Sequence, residues 1–285
     1  MPSLIDIRRR IRSVKNMQQI TKAMKMVSAA KLRRSQERAI AARPYGNILN
    51  RMLANVAAAA ASDQDASSHP LLAVREEKKI AFVVVSSDTG LAGAFNANLL
   101  RNAQKFVEEH AGAEIFIEAV GRKGRDFFRR RHHQLAGEYI GMVDRHNYDE
   151  ARVLAQKLID QYSRAEVDAV YIAVNEFKSV LAPNLVLRRI LPVQLPESTQ
   201  TIDYIYEQNP QELLSALLPR YVEVQLYRAL LESDSAYHAA RMAAMDAASR
   251  NAGEVIDKAI LHMNQVRQAS ITREIIEIVS GAAAL

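Results

Sequence analysis

Four stretches of this 285-residue chain carry side chains whose types and spacing could do chemistry. The first, SSDTGLAGAFN (residues 86–96), sets small polar groups and two glycines between a β-branched run and a helical pattern. That is where an α/β protein holds a phosphate on a helix N-terminus. It contains neither Gly-x-Gly-x-x-Gly nor Gly-Lys-Ser/Thr, so it reads as a polar turn in which Ser87 or Asp88 caps a helix. The second, GRKGRDFFRRRHH (121–133), could stack Phe127 and Phe128 on bases beside a row of cations. It reads better as an amphipathic crossover helix with a solvated basic face. His132 and His133 are adjacent, so their imidazoles diverge, whereas helical metal pairs need ligands three or four residues apart. There is no HExxH and no legible Ser/His/Asp set. No catalytic residue, metal or cofactor is expected.

The other two stretches suggest contacts with a partner. Met17, Met24 and Met26 lie among basic residues and fit the core of a coiled coil. Near the other end Arg267, Gln268, Thr272 and Arg273 are polar and closely spaced, and an apolar run follows them. From Ile275 to Leu285 the only charged side chain is Glu277. Chain ends are ordinarily polar and frayed unless tied down, and an apolar end is a liability in a free monomer. A sleeve supplied by another protein is therefore expected around it.

These residues need long elements to position them. Leu4, Ile7, Ile11, Val14, Met17, Ile20, Met24 and Val27 are spaced three or four apart, which is one face of a helix. Ser3 is its expected N-cap, with Asp6 three residues on, and Pro44-Tyr45-Gly46 its expected kink. The spacing predicts an N-terminal coiled-coil helix over 1–61 and a linker over 62–77, in which SDQDASSHP (62–70) is a turn. Strand-like runs at 78–88, 113–121, 134–142, 167–177 and 183–193 alternate with helical patterns at 91–110, 124–132 and 148–165. This order predicts an α/β domain over 78–195, its mostly parallel sheet covered on both faces. A C-terminal helix is predicted over 208–285, with Pro219 interrupting it near its start. Its alanines at 239, 240, 243, 244, 247, 248 and 252 allow a second helix to approach closely. At about 1.5 Å per residue the two helices would reach roughly 85 and 110 Å. Neither can bury its stripe alone, so an antiparallel coiled coil projecting from a Rossmann-like α/β domain is the expected architecture.

Composition narrows the function classes. The chain has no cysteine, which excludes disulfides, thiolate metal sites and cysteine nucleophiles. No apolar run approaches the ~20 residues of a membrane helix, and MPSLIDIRRRIR lacks a signal-peptide core, so an intracellular protein is expected. Residues 1–43 carry twelve Lys/Arg against Asp6 and Glu37, a charge of +10 within a chain whose net charge is +6. The basic end calls for an acidic partner, either an acidic protein surface or nucleic acid.

Four stretches together carry a family resemblance: 7–36 (IRRRIRSVKNMQQITKAMKMVSAAKLRRSQ), SSDTGLAGAFN, 217–252 (LLPRYVEVQLYRALLESDSAYHAARMAAMDAASRNA) and 267–285 (RQASITREIIEIVSGAAAL). In this order they resemble the gamma subunits of F-type ATP synthases over nearly the whole chain. The chain departs from that pattern at Thr89, where arginine is more usual, at Ala92 (often cysteine) and at Ala94 (often glycine). Without cysteine it also lacks the redox insertion of chloroplast members. The resemblance implies a non-catalytic rotor shaft, without cofactors, that couples proton-driven rotation to ATP synthesis or hydrolysis. The shaft would stand in a ring of three alpha and three beta subunits. The α/β domain would sit at its foot with the epsilon subunit and the membrane ring of c subunits, on the cytoplasmic face of a bacterial inner membrane. By motif position, Arg267 and Gln268 would engage a polar loop of beta. Met24 and Lys25 would pass an acidic lever on beta, and Arg241 and Thr272 would lie in the coupling region. Ile276 and Ile278 belong to the tip seated in the bearing. The main rival is a basic coiled-coil nucleic-acid-binding protein, which has no use for an apolar tip. A small α/β enzyme with helical dimerisation arms is another, and would need a catalytic set around Asp88.

Overall fold

A computed structural model of the chain describes residues 3–60, 69–177, 183–195 and 209–283. Residues 62–68 of the expected linker, residue 208 and the last two residues of the apolar tip lie outside these. In chain order the elements are helix α1 (Leu4–Ala60), a 3-10 turn (Pro70–Leu72), β1 (Lys79–Val85), α2 (Phe95–Glu109), β2 (Glu114–Val120) and α3 (Arg122–Arg129). Then come β3 (Leu135–Tyr139), α4 (Met142–Arg145), α5 (Tyr148–Ser163), β4 (Ala169–Phe177), β5 (Pro183–Leu191) and α6 (Pro210–Ala283). By its contacts the chain divides into two units. One combines Met1–Ala29 with Arg241–Leu285, and the other is Ala30–Ala240.

In the first unit α1 begins at a reciprocal cap. Ser3 Oγ accepts from the Asp6 amide at 3.3 Å, and Asp6 Oδ2 accepts from both the amide and the hydroxyl of Ser3, at 3.3 and 2.7 Å. Two of the orphan amides at the helix start are thereby satisfied. The helix then packs against α6 through Ile7, Ile11 and Ile256, with Val14, Ile260, Met263 and Val266 around them. Lys25 pairs with Asp246, and Gln18 with Ser249. As numbers rise on α1 they fall on α6, so the pairing is antiparallel.

The second unit holds the sheet, in the order β3-β2-β1-β4-β5. The first four strands are parallel, and β5 runs antiparallel to β4 as an added edge. Every residue of β1 from Ile80 to Val85 is buried, as a strand covered on both faces must be. Its alternation sorts two cores. Ala81, Val83 and Val85 face α5 and the adjoining parts of α1 and α6, through Leu53, Leu154, Leu158, Leu218 and Leu226. Ile80, Phe82 and Val84 face α2 and α3, through Leu99, Phe106 and Phe128.

At Pro44-Tyr45-Gly46, where a kink is expected, the helix does not end. α1 continues through Pro44, as α6 does through Pro219. Packing explains the first, because Gly46 is buried and a Cβ there would stand 4.0 Å from Val224 of α6. Close apposition of the two helices holds the helical path where proline removes a hydrogen bond.

Phe82 is fully buried, with its ring 4.5 Å from that of Phe106. Phe82→Ala is expected to lower unfolding free energy by about 3–5 kcal/mol, read from the urea midpoint at unchanged slope.

Candidate functional site

In the first unit the seam of α1 is not the apolar stripe seen in the sequence. The buried or half-buried positions include Ile7, Ile11, Val14, Gln18, Thr21, Lys25 and Ser28, an alternation of four and three, with Leu4 before them and Met24 and Ala29 at their side. The hydrophobic pattern agrees with it up to Val14 and then slips by one residue, to Met17, Ile20, Met24 and Val27. Met17 (57%), Ile20 (59%) and Val27 (58%) are therefore exposed, and Met26 with them. This corrects the expectation that the methionines form coiled-coil core: of the three, only Met24 is half-buried. The reason is geometric. A helix with one neighbour buries only the narrow seam that keeps a 3.5-residue period, and a stripe that drifts off that period turns outward.

Polar contacts fill the seam instead. Gln18 Nε2 donates to the Ser249 carbonyl at 3.3 Å, and Gly253 leaves the room, since a Cβ there would stand 3.2 Å from the same nitrogen. Lys25 Nζ lies 2.6 Å from Asp246 Oδ1. That hydrogen bond holds the Asp246 carboxyl below its ordinary pKa, with Arg250 assisting. Both partners remain open to solvent, so salt should weaken the pair.

The sequence-predicted contact residues all lie in this unit. Met24 and Lys25 sit on α1, and Lys25 is already engaged by Asp246. Arg241 is half-buried on α6. Arg267, Gln268 and Thr272 are exposed farther along α6, and so are Ile276 and Ile278. Asp246 and Arg267 are 21 residues apart on one helix, about 30 Å of axial rise. The structure therefore brings the predicted residues into two separate patches. From Ile271 to Ser280 every residue is exposed, with Ile278 at 72%.

In the second unit, SSDTGLAGAFN lies at the C-terminal end of β1, beside the strand-order reversal where open α/β sheets hold nucleotides. Here its polar groups are engaged internally. Asp88 accepts from the amides of Arg122 and Gly141, each at 2.9 Å, and so caps α3. It does not cap α2, whose N-cap is Ala94 with no side-chain hydrogen bond. Ser87 bonds to Asn96, and the Thr89 hydroxyl meets the Tyr237 hydroxyl of α6. Ala92 and Phe95 pack on Ala236 and Tyr237. The turn that could have cradled a phosphate is a seat for α6, and Thr89 makes a neutral hydroxyl contact there.

Comparison with known proteins then decides the family. A family profile described as ATP synthase matches residues 3–285. The ATP synthase gamma chain of Solibacter usitatus (strain Ellin6076) is 59% identical over 284 residues, covering 100% of this chain and 99% of that one. That of Pelotomaculum thermopropionicum is 47% identical over 288 residues, with 100% of both chains covered. The chain belongs to the ATP synthase gamma chain family. Its fold is also that of a chain in the central stalk and c-ring structure of Tetrahymena thermophila mitochondrial ATP synthase. That match has a TM-score of 0.64 and 24% identity, over 81% of this chain and 99% of the other. A chain of the Euglena gracilis mitochondrial ATP synthase rotor matches with a TM-score of 0.65 and 18% identity, over 94% and 98%. Full-length agreement with gamma chains leaves the nucleic-acid reading without support.

One polar cluster of this gamma-family chain escapes sequence reasoning. In the second unit, Asp234 of α6 is 1% exposed at its side chain, and Oδ2 accepts from His146 Nε2 at 2.7 Å. Oδ1 lies 3.2 Å from His238 Nε2. His146 ends α4 in a left-handed conformation (φ 53°), which histidine tolerates better than most residues. The i,i+4 spacing of Asp234 and His238 is visible in the sequence, but nothing there points to His146. Burial alone would raise the Asp234 pKa, yet the hydrogen bond from His146 and the His238 imidazole close by overcome it and hold the carboxyl below its ordinary value. A depressed carboxylate contributes stability above its unfolded pKa of about 4, and that contribution disappears as pH falls through its folded value. Asp234→Ala is thus expected to cost about 3 kcal/mol at pH 7. The gap from wild type should narrow in strong acid, as measured by urea unfolding at pH 7 and across the acid limb.

Proposed function

We propose that this chain is the central rotor stalk of a proton-translocating F-type ATP synthase, coupling proton-driven rotation to ATP synthesis or hydrolysis without itself catalysing either. The observation that carries the reading is the helical pair of the first unit. Beyond Val14 its seam turns polar, while apolar side chains face outward on α1 and along the last turns of α6. A surface of that kind suits a shaft enclosed by other subunits, since in a free chain it would promote association. Fixed ion pairs at an enclosed tip would hold one angle too tightly, and the exposed isoleucines there make no such pairs. A stiff helical pair can also transmit torque, which a flexible linker cannot.

The enclosing partners in this reading are three alpha and three beta subunits, with epsilon and the c-subunit ring at the α/β domain. The assembly would lie at the cytoplasmic face of a bacterial inner membrane, and this chain would be peripheral. No described helix is long and apolar enough to cross a membrane. Met24 and Lys25 pass the acidic lever of beta, Arg267 and Gln268 engage its polar loop, and Arg241 and Thr272 serve coupling. Ile276 and Ile278 seat the tip.

Met24→Lys adds a cation next to Lys25 and facing acidic groups. It should leave assembly intact and lower the number of protons pumped per ATP hydrolysed. A normal pumping ratio in the assembled variant would contradict the contact. Ile276→Asp places a charge in the enclosed tip, and should reduce recovery of assembled complex by about tenfold, the factor of roughly 1.4 kcal/mol. Arg130→Ala, just past the end of α3, should leave recovery near wild type. Equal yields from these two variants would mean that the tip is not enclosed.

A further inference from the structure

The second unit contains a cleft of about 140 Å³ between α1, the α4–α5 turn and α6. Lys31, Arg34 and Arg38 enter it from one face of α1, at i, i+3 and i+7. None of the three makes a hydrogen bond or ion pair among the described residues, although Asp144 and Asp234 line the same cleft. His146 and His238 line it too, both turned toward the Asp234 carboxylate. His238 Nδ1, on a side chain only 4% exposed, and Asp234 Oδ1 are both buried and have no hydrogen-bond partner among the described residues. A buried polar atom without a partner costs free energy, which favours a bound group that meets one.

We infer that this cleft binds a small oxyanion of the phosphate class. Two guanidinium forks and an ammonium match the charge and the planar donor geometry that such anions accept. Asp144, Asp234 and His238 could bring ligand atoms within 4.8 Å of one another, as a cation site would require. A divalent cation there would stand beside three positive charges unpaired among the described residues, so an anion is the occupant the charges favour. Bound between Arg34 or Arg38 and His146, the anion would tie α1 to the turn after α4. The site is independent of the rotor assignment, because every group in it belongs to this chain.

The test uses the full chain, titrated with inorganic phosphate, or with ADP, at constant ionic strength set by chloride. Binding is followed by calorimetry and by the shift in melting temperature. Saturable binding of either is expected. An equal response to both marks free phosphate as sufficient, and a tighter response to ADP marks a phosphoryl group carried on a nucleotide. Arg34→Glu and Arg38→Glu, both at exposed positions, should each weaken binding by about tenfold or more, the loss of one charge-assisted pair. Arg130→Glu, an exposed cation just past the end of α3, should leave it unchanged. Absence of saturable binding, or equal weakening by Arg34→Glu and Arg130→Glu, would overturn the site.

Discussion

Two paired helices can bury only one narrow seam of each other, and much of this molecule follows from that limit. In the unit formed by the beginning of α1 and the end of α6, the seam keeps its four-three rhythm from Ile7 to Ser28 whether or not the residues on it are apolar. Where they are apolar, at Ile7, Ile11 and Ile256, a small core forms. Farther along, Gln18, Thr21, Lys25 and Ser28 take the seam, and hydrogen bonds replace core packing. Such a pairing helps to specify register, because Gln18 and Lys25 each have a particular partner on α6. It contributes less stability than a hydrophobic zipper, since a hydrogen bond gained on folding replaces one to water. The side chains displaced from the seam are then available to other surfaces.

The same economy of contacts governs the α/β unit. The sheet has the topology and the glycine turn of nucleotide-binding folds, but the crevice at the strand reversal is closed by its own chain. Asp88 joins the starts of α3 and α4, and Tyr237 and Ala236 of α6 lie on the turn. Fold alone would have suggested a ligand here. The engaged polar groups explain why this domain instead carries a helix, which fits a stalk subunit better than an enzyme.

Between α1 and α6 within that unit, polar chemistry is concentrated around Asp234. One carboxylate orders two imidazoles from different elements, while the cations of α1 beside it remain unpaired. Nothing in the sheet requires this cluster. The cost of desolvating Asp234 is offset by its two histidines, and the remaining positive charge faces a cleft.

Much was legible in the sequence because it depends on local rules. Strand and helix alternation, the Ser3–Asp6 cap and the two long helices follow from periodicity, capping chemistry and the scarcity of glycine and proline. The four ordered stretches that resemble gamma subunits were equally readable, since they are strings of residue types. Which apolar residues would be buried was not legible. Met17, Ile20 and Val27 look like core by spacing, yet a drift of one residue from the 3.5 period turns them outward, and only the partner helix determines where the seam runs. Pro44 removes a helix hydrogen bond, yet α1 continues through it, with Gly46 apposed to Val224. Asp88 looks like a cap for the next helix and caps a later one, because the sheet brings Arg122 and Gly141 to it. His146 and Asp234 are 88 residues apart in the chain. Local sequence sets what each segment can form, but a pairing across that separation exists only once the sheet and α6 have folded around it.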